Sequence, residues 1–255
     1  MTPSLPIVLV DGEATGGVPA TDSSVLRGDG CFEAVRAYGG ELFRLDDHME
    51  RLERSAAALD LPRLPIEDIR RWMTQAARQG GDCIVRVVAS RGSAVPGVDD
   101  PARCVVVAHP PPPATAGMSL WPVVAPWHPA GRAWELSGVK TISYAPNLAA
   151  GRVARSHGAD DALLISDAGQ VLEGPTFSVG WCRDGGVFVP PLELGILDSI
   201  TRRVVAEVWP ALKEAEIGYD ELLQAEEVFV MSTVREVSPV TALGGKELAA
   251  GPVTG

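Results

Sequence analysis

Lys140 is the residue in this chain around which covalent chemistry can be built. There are only three lysines, Lys140, Lys213 and Lys246, and the rest of the basic charge is arginine. Lys213 lies in the charged run Ala-Leu-Lys-Glu-Ala-Glu and Lys246 follows a Gly-Gly turn, so both sit in solvated settings. Lys140 follows a segment containing Trp and Gly and opens Val139-Lys-Thr-Ile-Ser-Tyr-Ala-Pro-Asn-Leu-Ala-Ala150. Partial desolvation of an amine favours its neutral, nucleophilic form, which is the condition for a Schiff-base lysine. A lysine snorkelling from a strand end is the plain alternative.

Three other stretches gain meaning beside such a lysine. Leu192 to Arg203 reads as a loop feeding a helix that begins at Ile200 and Thr201. The free N–H groups and dipole of a helix start suit a phosphate, although an ordinary capped helix reads the same way. Phe229 to Val240 is a strand that runs into the small hydroxyl residues Ser232 and Thr233, a turn able to present N–H and O–H donors to an anion or simply to turn. Glu173, in Gln170-Val-Leu-Glu-Gly-Pro-Thr176, places a carboxylate at a strand end beside a tight turn. Facing a pyridine nitrogen, that carboxylate would keep a ring protonated and electron-withdrawing; otherwise it is a surface glutamate in a hairpin.

Composition narrows the class. With 255 residues and a formal charge of −11, the chain can bury a large core and lacks the basic face a nucleic acid would require. No apolar run is long enough to span a bilayer, and Met-Thr-Pro-Ser-Leu-Pro lacks the basic start of a secretory signal. Four scattered cysteines fit reduced thiols in a cytoplasmic protein. Four isolated histidines form no ligand cluster, so no metal site is expected.

The elements that must hold these residues follow from periodicity. Leu5–Val10, Asp82–Ser90 and Arg103–His109 read as strands, and Phe32–Tyr38 turns at Gly39-Gly40 into Glu41–Arg44. Asp46 and Asp47 are expected to cap a helix carrying Met49, Leu52, Ala56 and Leu59, with a second helix over Pro65–Gln79. The proline run Pro110–Pro113 marks a stiff link, giving an N-terminal α+β lobe at 1–112, a linker at 113–118 and a second lobe at 119–255 that contains Lys140. There, Met118–Val124, Asp161–Ser166, Val171–Glu173, Ser178–Trp181, Val187–Val189 and Glu227–Met231 read as short strands. Helices are expected at Asn147–His157, Ile200–Trp209 and Tyr219–Gln224. Short strands with glycine turns suggest a closed or strongly curved sheet.

Taken together, the motifs resemble the fold-type IV pyridoxal-phosphate enzymes: branched-chain aminotransferases, D-amino-acid transaminases and aminodeoxychorismate lyases. The resemblance runs from about Leu5 to Thr254 and rests on five segments: Gly28-Asp-Gly-Cys-Phe-Glu33, Asp47-His-Met-Glu-Arg-Leu52, Leu172-Glu-Gly174, Gly195-Ile-Leu-Asp-Ser-Ile-Thr-Arg202 and Glu236-Val-Ser-Pro-Val240. It implies a two-lobed α+β fold, a pyridoxal 5'-phosphate cofactor on Lys140, and a homodimer acting on a small molecule. Glu173 then matches the pyridine-nitrogen carboxylate, Arg51 the phosphate arginine, Ile200 and Thr201 the helix-start phosphate donors, and Ser232 and Thr233 a second donor pair. Tyr144 resembles a tyrosine that bonds the ring hydroxyl, one residue out of the usual spacing from the lysine.

For substrate, the resemblance points to Phe32, Arg36, Arg86 and Arg91. The family usually has asparagine where Ser178 stands here. An Arg-x-His after the arginine–glycine turn, favoured in the D-specific transaminases, is absent. Gly28-Asp-Gly-Cys-Phe and Ser90-Arg-Gly-Ser93 look like the lyases, although Ala94-Val-Pro-Gly97 replaces their usual continuation. The expected activity is therefore 4-amino-4-deoxychorismate lyase, giving 4-aminobenzoate and pyruvate for folate synthesis. Amino transfer on a branched-chain or D-amino acid is the alternative, and a non-catalytic relative would not be expected to keep Lys140, Glu173 and Arg51 together.

Overall fold

The computed structural model describes residues 6–14, 16–98, 100–249, 251 and 253–254, so the expected first strand residue Leu5 lies outside them. Two compact units make up the chain: Met1–Pro113 with Val139–Ser143, and Ala114–Gly138 with Tyr144–Gly255.

In the first unit the elements are β1 (Ile7–Val10), α1 (Ser23–Arg27), β2 (Gly30–Tyr38), β3 (Glu41–Leu42), α2 (Leu45–Ala58), α3 (Ile66–Gly80), β4 (Cys83–Ser90) and β5 (Arg103–His109). The strands form one antiparallel sheet in the order β1-β5-β4-β2-β3. Ala34 pairs with Arg86, Arg36 with Ile84 and Phe32 with Val88. Side chains alternate across a strand, so Phe32, Ala34, Arg36 and Arg86 share one face. The opposite face carries Cys31, Val35, Ala37, Val85, Val87 and Ala89, which build the core with Met49 and Leu52 of α2 and Ile69 and Met73 of α3. Helix α2 does not start on an Asp cap. Arg44 occupies the cap in the left-handed region with φ 54°, and Asp46 and Asp47 lie in the first turn, where they complement the helix dipole. Helix α1 escaped the sequence because it is a single turn, capped by Asp22 through the N–H of Ser24.

The segment carrying Lys140 belongs to this unit and not to the second lobe, where the sequence put it. It adds to the edge of β2: Phe32 N–H donates to Lys140 C=O at 3.1 Å, and Ile142 N–H donates to Gly30 C=O at 3.0 Å. Cys31 and Thr141 form an antiparallel bridge, and Ser143 Oγ donates to Gly28 C=O at 2.7 Å. Glycine is required at Gly30, where a Cβ would stand 2.4 Å from the Ala89 carbonyl oxygen.

The second unit contains β6 (Met118–Val124), α4 (Ala145–Ser156), β7 (Asp161–Ile165), β8 (Ser178–Arg183), β9 (Gly186–Val189), α5 (Ile200–Val208), β10 (Lys213–Glu214), α6 (Tyr219–Leu222), β11 (Glu227–Ser232), β12 (Glu236–Leu243) and β13 (Lys246–Glu247). Their mixed sheet runs β10-β9-β8-β11-β12-β6-β7, with β13 paired to β12. Val171–Glu173 is not a full strand; Val171 makes a single bridge to Ile165, and Leu164 N–H donates to Glu173 C=O. Strand β12 was missed because Pro239 lies within it and Thr241 marks a shift in its pairing with β6. Met118, the last residue of the expected linker, already belongs to β6.

Candidate active site

Lys140 sits where the first unit gathers positive charge around an aromatic ring. Its Nζ stands 4.4 Å from the centroid of Phe32, and the Arg86 guanidinium carbon is 5.0 Å from the same centroid. Cations over a ring face are attracted by its quadrupole. Lys140 N–H also donates to Ser55 Oγ of α2 at 3.2 Å, so the lysine backbone is tied both to β2 and to α2. Arg36 lies on the same face, its guanidinium 5.0 Å from the Tyr38 centroid, with a buried Nε that has no hydrogen-bond partner. One face therefore presents a primary amine, a phenyl ring and two guanidinium groups.

Beneath that face lies a buried charged group. Glu33 alternates to the helix side of β2 and is fully buried. Arg51 of α2 meets it through two nitrogens, and His48, one turn earlier, approaches it with Nδ1 at 2.7 Å. Burial works against the Glu33 charge, but the Arg51 charge and hydrogen bonds outweigh it and hold the carboxyl at about 2. Desolvation pushes His48 below its ordinary value despite Glu33, with Arg51 and Lys140 acting in the same direction. Arg51 is thus an ion-pair partner of Glu33 as well as the arginine that the sequence assigned to phosphate.

In the second unit Glu173 is held at both oxygens. Oε2 accepts the Leu197 N–H at 3.1 Å, and Oε1 lies 3.4 Å from His128 Nε2. Leu197 belongs to the loop that enters α5, so Glu173 and the start of that helix are neighbours. Ser199 caps α5 by accepting the Arg202 N–H, and the first-turn amides of Ile200 and Thr201 have no acceptor within the helix. Ser232 ends β11 with its Oγ accepting the Arg235 N–H at 3.1 Å, and Thr233 opens the turn into β12. Ser178 is buried and its Oγ has no hydrogen-bond partner. Tyr144 is the cap residue of α4 and is half-buried.

Two of these residues revise the sequence. Arg91 is not placed as a substrate anchor: Nε donates to Asp29 at 2.7 Å, Nη1 to Asp60 C=O at 2.6 Å and Nη2 to Leu59 C=O at 2.7 Å. It clamps the carbonyl end of α2, where free C=O groups call for a cation. His128 was passed over as an isolated histidine. Its only signal in the chain is a place between Trp127 and Pro129, 45 residues from its partner Glu173.

Comparison with known proteins decides the family. The model for amino-transferase class IV matches residues 30–243. The chain belongs to the class IV aminotransferases. As such it is a pyridoxal-phosphate enzyme. It is 29% identical over 283 residues to the bifunctional aminodeoxychorismate lyase / D-amino acid transaminase of Mycobacterium tuberculosis, covering 97% of this chain and 94% of that protein. Among solved structures it resembles the branched-chain aminotransferase of the archaeon Thermoproteus uzoniensis with norvaline, at 30% identity and TM-score 0.85, covering 96% and 90% of the two chains. It also resembles the PLP-bound form of a hypothetical aminotransferase from M. tuberculosis, at 27% identity and TM-score 0.87, covering 96% and 94%. Each unit of this class IV aminotransferase, taken by itself, carries groups of a chemistry such a cofactor can use: the first an amine on Lys140, the second a carboxylate on Glu173 steadied by two donors, a helix start at Ile200–Thr201, and hydroxyl groups at Ser232, Thr233 and the buried, unpartnered Ser178.

Proposed function

We propose that this enzyme is a 4-amino-4-deoxychorismate lyase. The observation that carries the reading is the face of β2 and β4 on which Lys140, Phe32, Arg36 and Arg86 stand together. Aminodeoxychorismate is a cyclohexadiene ring with two carboxylates, and two guanidinium groups beside a phenyl ring suit such a molecule. Pyridoxal phosphate, when bound, supplies an electron sink for the carbon that carries the substrate amine. Lys140 would hold the cofactor and then take the proton from that ring carbon. The enolpyruvyl C–O bond breaks as the ring becomes aromatic, and the departing enolate gains a proton to become pyruvate. Glu173 would face the pyridine nitrogen, while Ile200, Thr201, Ser232, Thr233 and the donors of Arg51 would bind phosphate. Tyr144 is proposed at the ring hydroxyl. We further take the working form to be a cytoplasmic homodimer, to be tested by light scattering of the active enzyme.

A second reading, amino transfer on a branched-chain or D-amino acid, is favoured by the family and by the fold shared with the archaeal branched-chain enzyme. It uses the same lysine for a proton shift but requires a keto acid as second substrate. Purified enzyme given aminodeoxychorismate alone should release equal amounts of 4-aminobenzoate and pyruvate. Amino transfer between D- or branched-chain amino acids and keto acids, with no 4-aminobenzoate formed, would overturn the lyase.

A further inference from the structure

His128 lies next to Glu173 in a loop that no motif of the chain singles out. Its side chain is 8% exposed. The Ala130 N–H donates to His128 Nδ1 at 3.2 Å, which requires a lone pair on that nitrogen. A neutral imidazole with Nδ1 as acceptor carries its proton on Nε2, the nitrogen that stands 3.4 Å from Glu173 Oε1. The backbone turn therefore selects the tautomer, and the tautomer gives Glu173 a donor. Arg132 steadies the same loop, with Nε donating to Pro129 C=O at 3.0 Å.

Glu173 now has a donor for each oxygen, the Leu197 amide on Oε2 and the imidazole on Oε1. A carboxylate held by one donor rotates about its last torsion. Held by two on different loops, it keeps one plane and one direction. We propose that His128 is a positioning residue for Glu173, fixing the carboxylate in the orientation that receives a protonated ring nitrogen. The inference rests on the reading of Glu173 as the ring-nitrogen carboxylate, and it adds a residue that the family resemblance does not supply.

The test uses two cofactors that differ at one atom. Apoenzyme is titrated by fluorescence with pyridoxal phosphate and with 1-deazapyridoxal phosphate, which has carbon in place of the ring nitrogen. His128→Phe keeps a flat ring but removes the donor, and His128→Gln restores an N–H. A donor that acts through the ring-nitrogen contact should make His128→Phe bind pyridoxal phosphate about tenfold more weakly while binding of the deaza compound stays within about twofold. His128→Gln should recover part of the loss, and it carries the same comparison should the Phe variant fail to fold. Equal loss toward both cofactors, or no loss toward either, would reduce His128 to packing and overturn the proposal. Glu173→Gln separates this from a failure of the Glu173 reading. If Glu173→Gln selectively weakens pyridoxal phosphate and the His128 variants do not, His128 alone is wrong. If Glu173→Gln fails to discriminate the two cofactors, the carboxylate assignment falls and His128 falls with it.

Discussion

Arg51 grips Glu33 with two parallel hydrogen bonds, Nε on Oε1 at 2.6 Å and Nη2 on Oε2 at 2.8 Å, and both side chains are buried. A bidentate pair fixes the plane of the guanidinium as well as its position. Any phosphate role of Arg51 therefore depends on Glu33, which aims the group from the core side of β2.

Removal of Arg51 should cost folding as well as cofactor affinity. Arg51→Ala leaves the Glu33 carboxylate buried with His48 in place of a full cation, and breaking a buried pair in this way costs about 3–5 kcal/mol. Thermal unfolding of the apoenzyme should show a fall in Tm of roughly 10 °C. An unchanged Tm with weakened pyridoxal phosphate binding would mean that the pair adds nothing to stability and that Arg51 serves phosphate alone.

The same pair sets an acid limit. Glu33 is held at about 2, below its ordinary 4.5, so the unfolded chain binds a proton more readily than the folded one between those values. Its stabilisation is complete above about pH 4.5 and is lost as pH falls toward 2, an amount of roughly 3 kcal/mol. His48, also lowered, loses its share in the same direction, starting below its ordinary 6.5. Urea unfolding of wild type should weaken steadily from pH 6 to pH 3, and Glu33→Gln should flatten the lower part of that slope. A stability maximum below pH 4 in wild type would contradict both groups.

Much of this architecture was legible in the chain, and the losses have local causes. Arg103–His109 matches its strand because the run through Val105, Val106 and Val107 has no competing helical reading, and Met118–Val124 matches its strand as well. The cap of α2 was misplaced because Arg44, a residue that seldom adopts positive φ, does so here. The sequence singled out Lys140 but not its unit, since joining the edge of β2 depends on backbone bonds to Gly30 and Phe32 more than 100 residues away. Arg91 and His128 show the same limit from two sides. Whether an arginine is engaged by backbone carbonyls, or a histidine by a glutamate 45 residues on, leaves no periodic trace.

Lys140 can be removed without dismantling its surroundings, because its hydrogen bonds to Phe32 and Ser55 are made by its backbone. Lys140→Ala should keep the wild-type circular dichroism while losing all turnover. Borohydride should fix pyridoxal phosphate to the wild-type chain at Lys140 and to no position in the variant. The other lysines are poorly suited to replace it: Lys213 is exposed and Lys246 Nζ donates to Leu223 C=O. A reduced adduct mapped to either of them would move the site.

The three arginines first grouped as substrate anchors should now separate by experiment. Arg86 stands over the ring that Lys140 also faces, and Arg36 lies diagonally across from it on the same strand pair. Each is placed to meet a carboxylate with a charge-assisted bond, so Arg86→Ala and Arg36→Ala should each raise KM by about tenfold or more with little change in Tm. Arg91 instead holds Asp29 and the carbonyl end of α2. Arg91→Ala should lower Tm while leaving KM close to wild type. Substrate kinetics and thermal melts on the three variants decide the matter. A raised KM with an unchanged Tm for Arg91→Ala would return it to the substrate face, and unaltered KM in both other variants would remove the charged face on which the lyase reading depends.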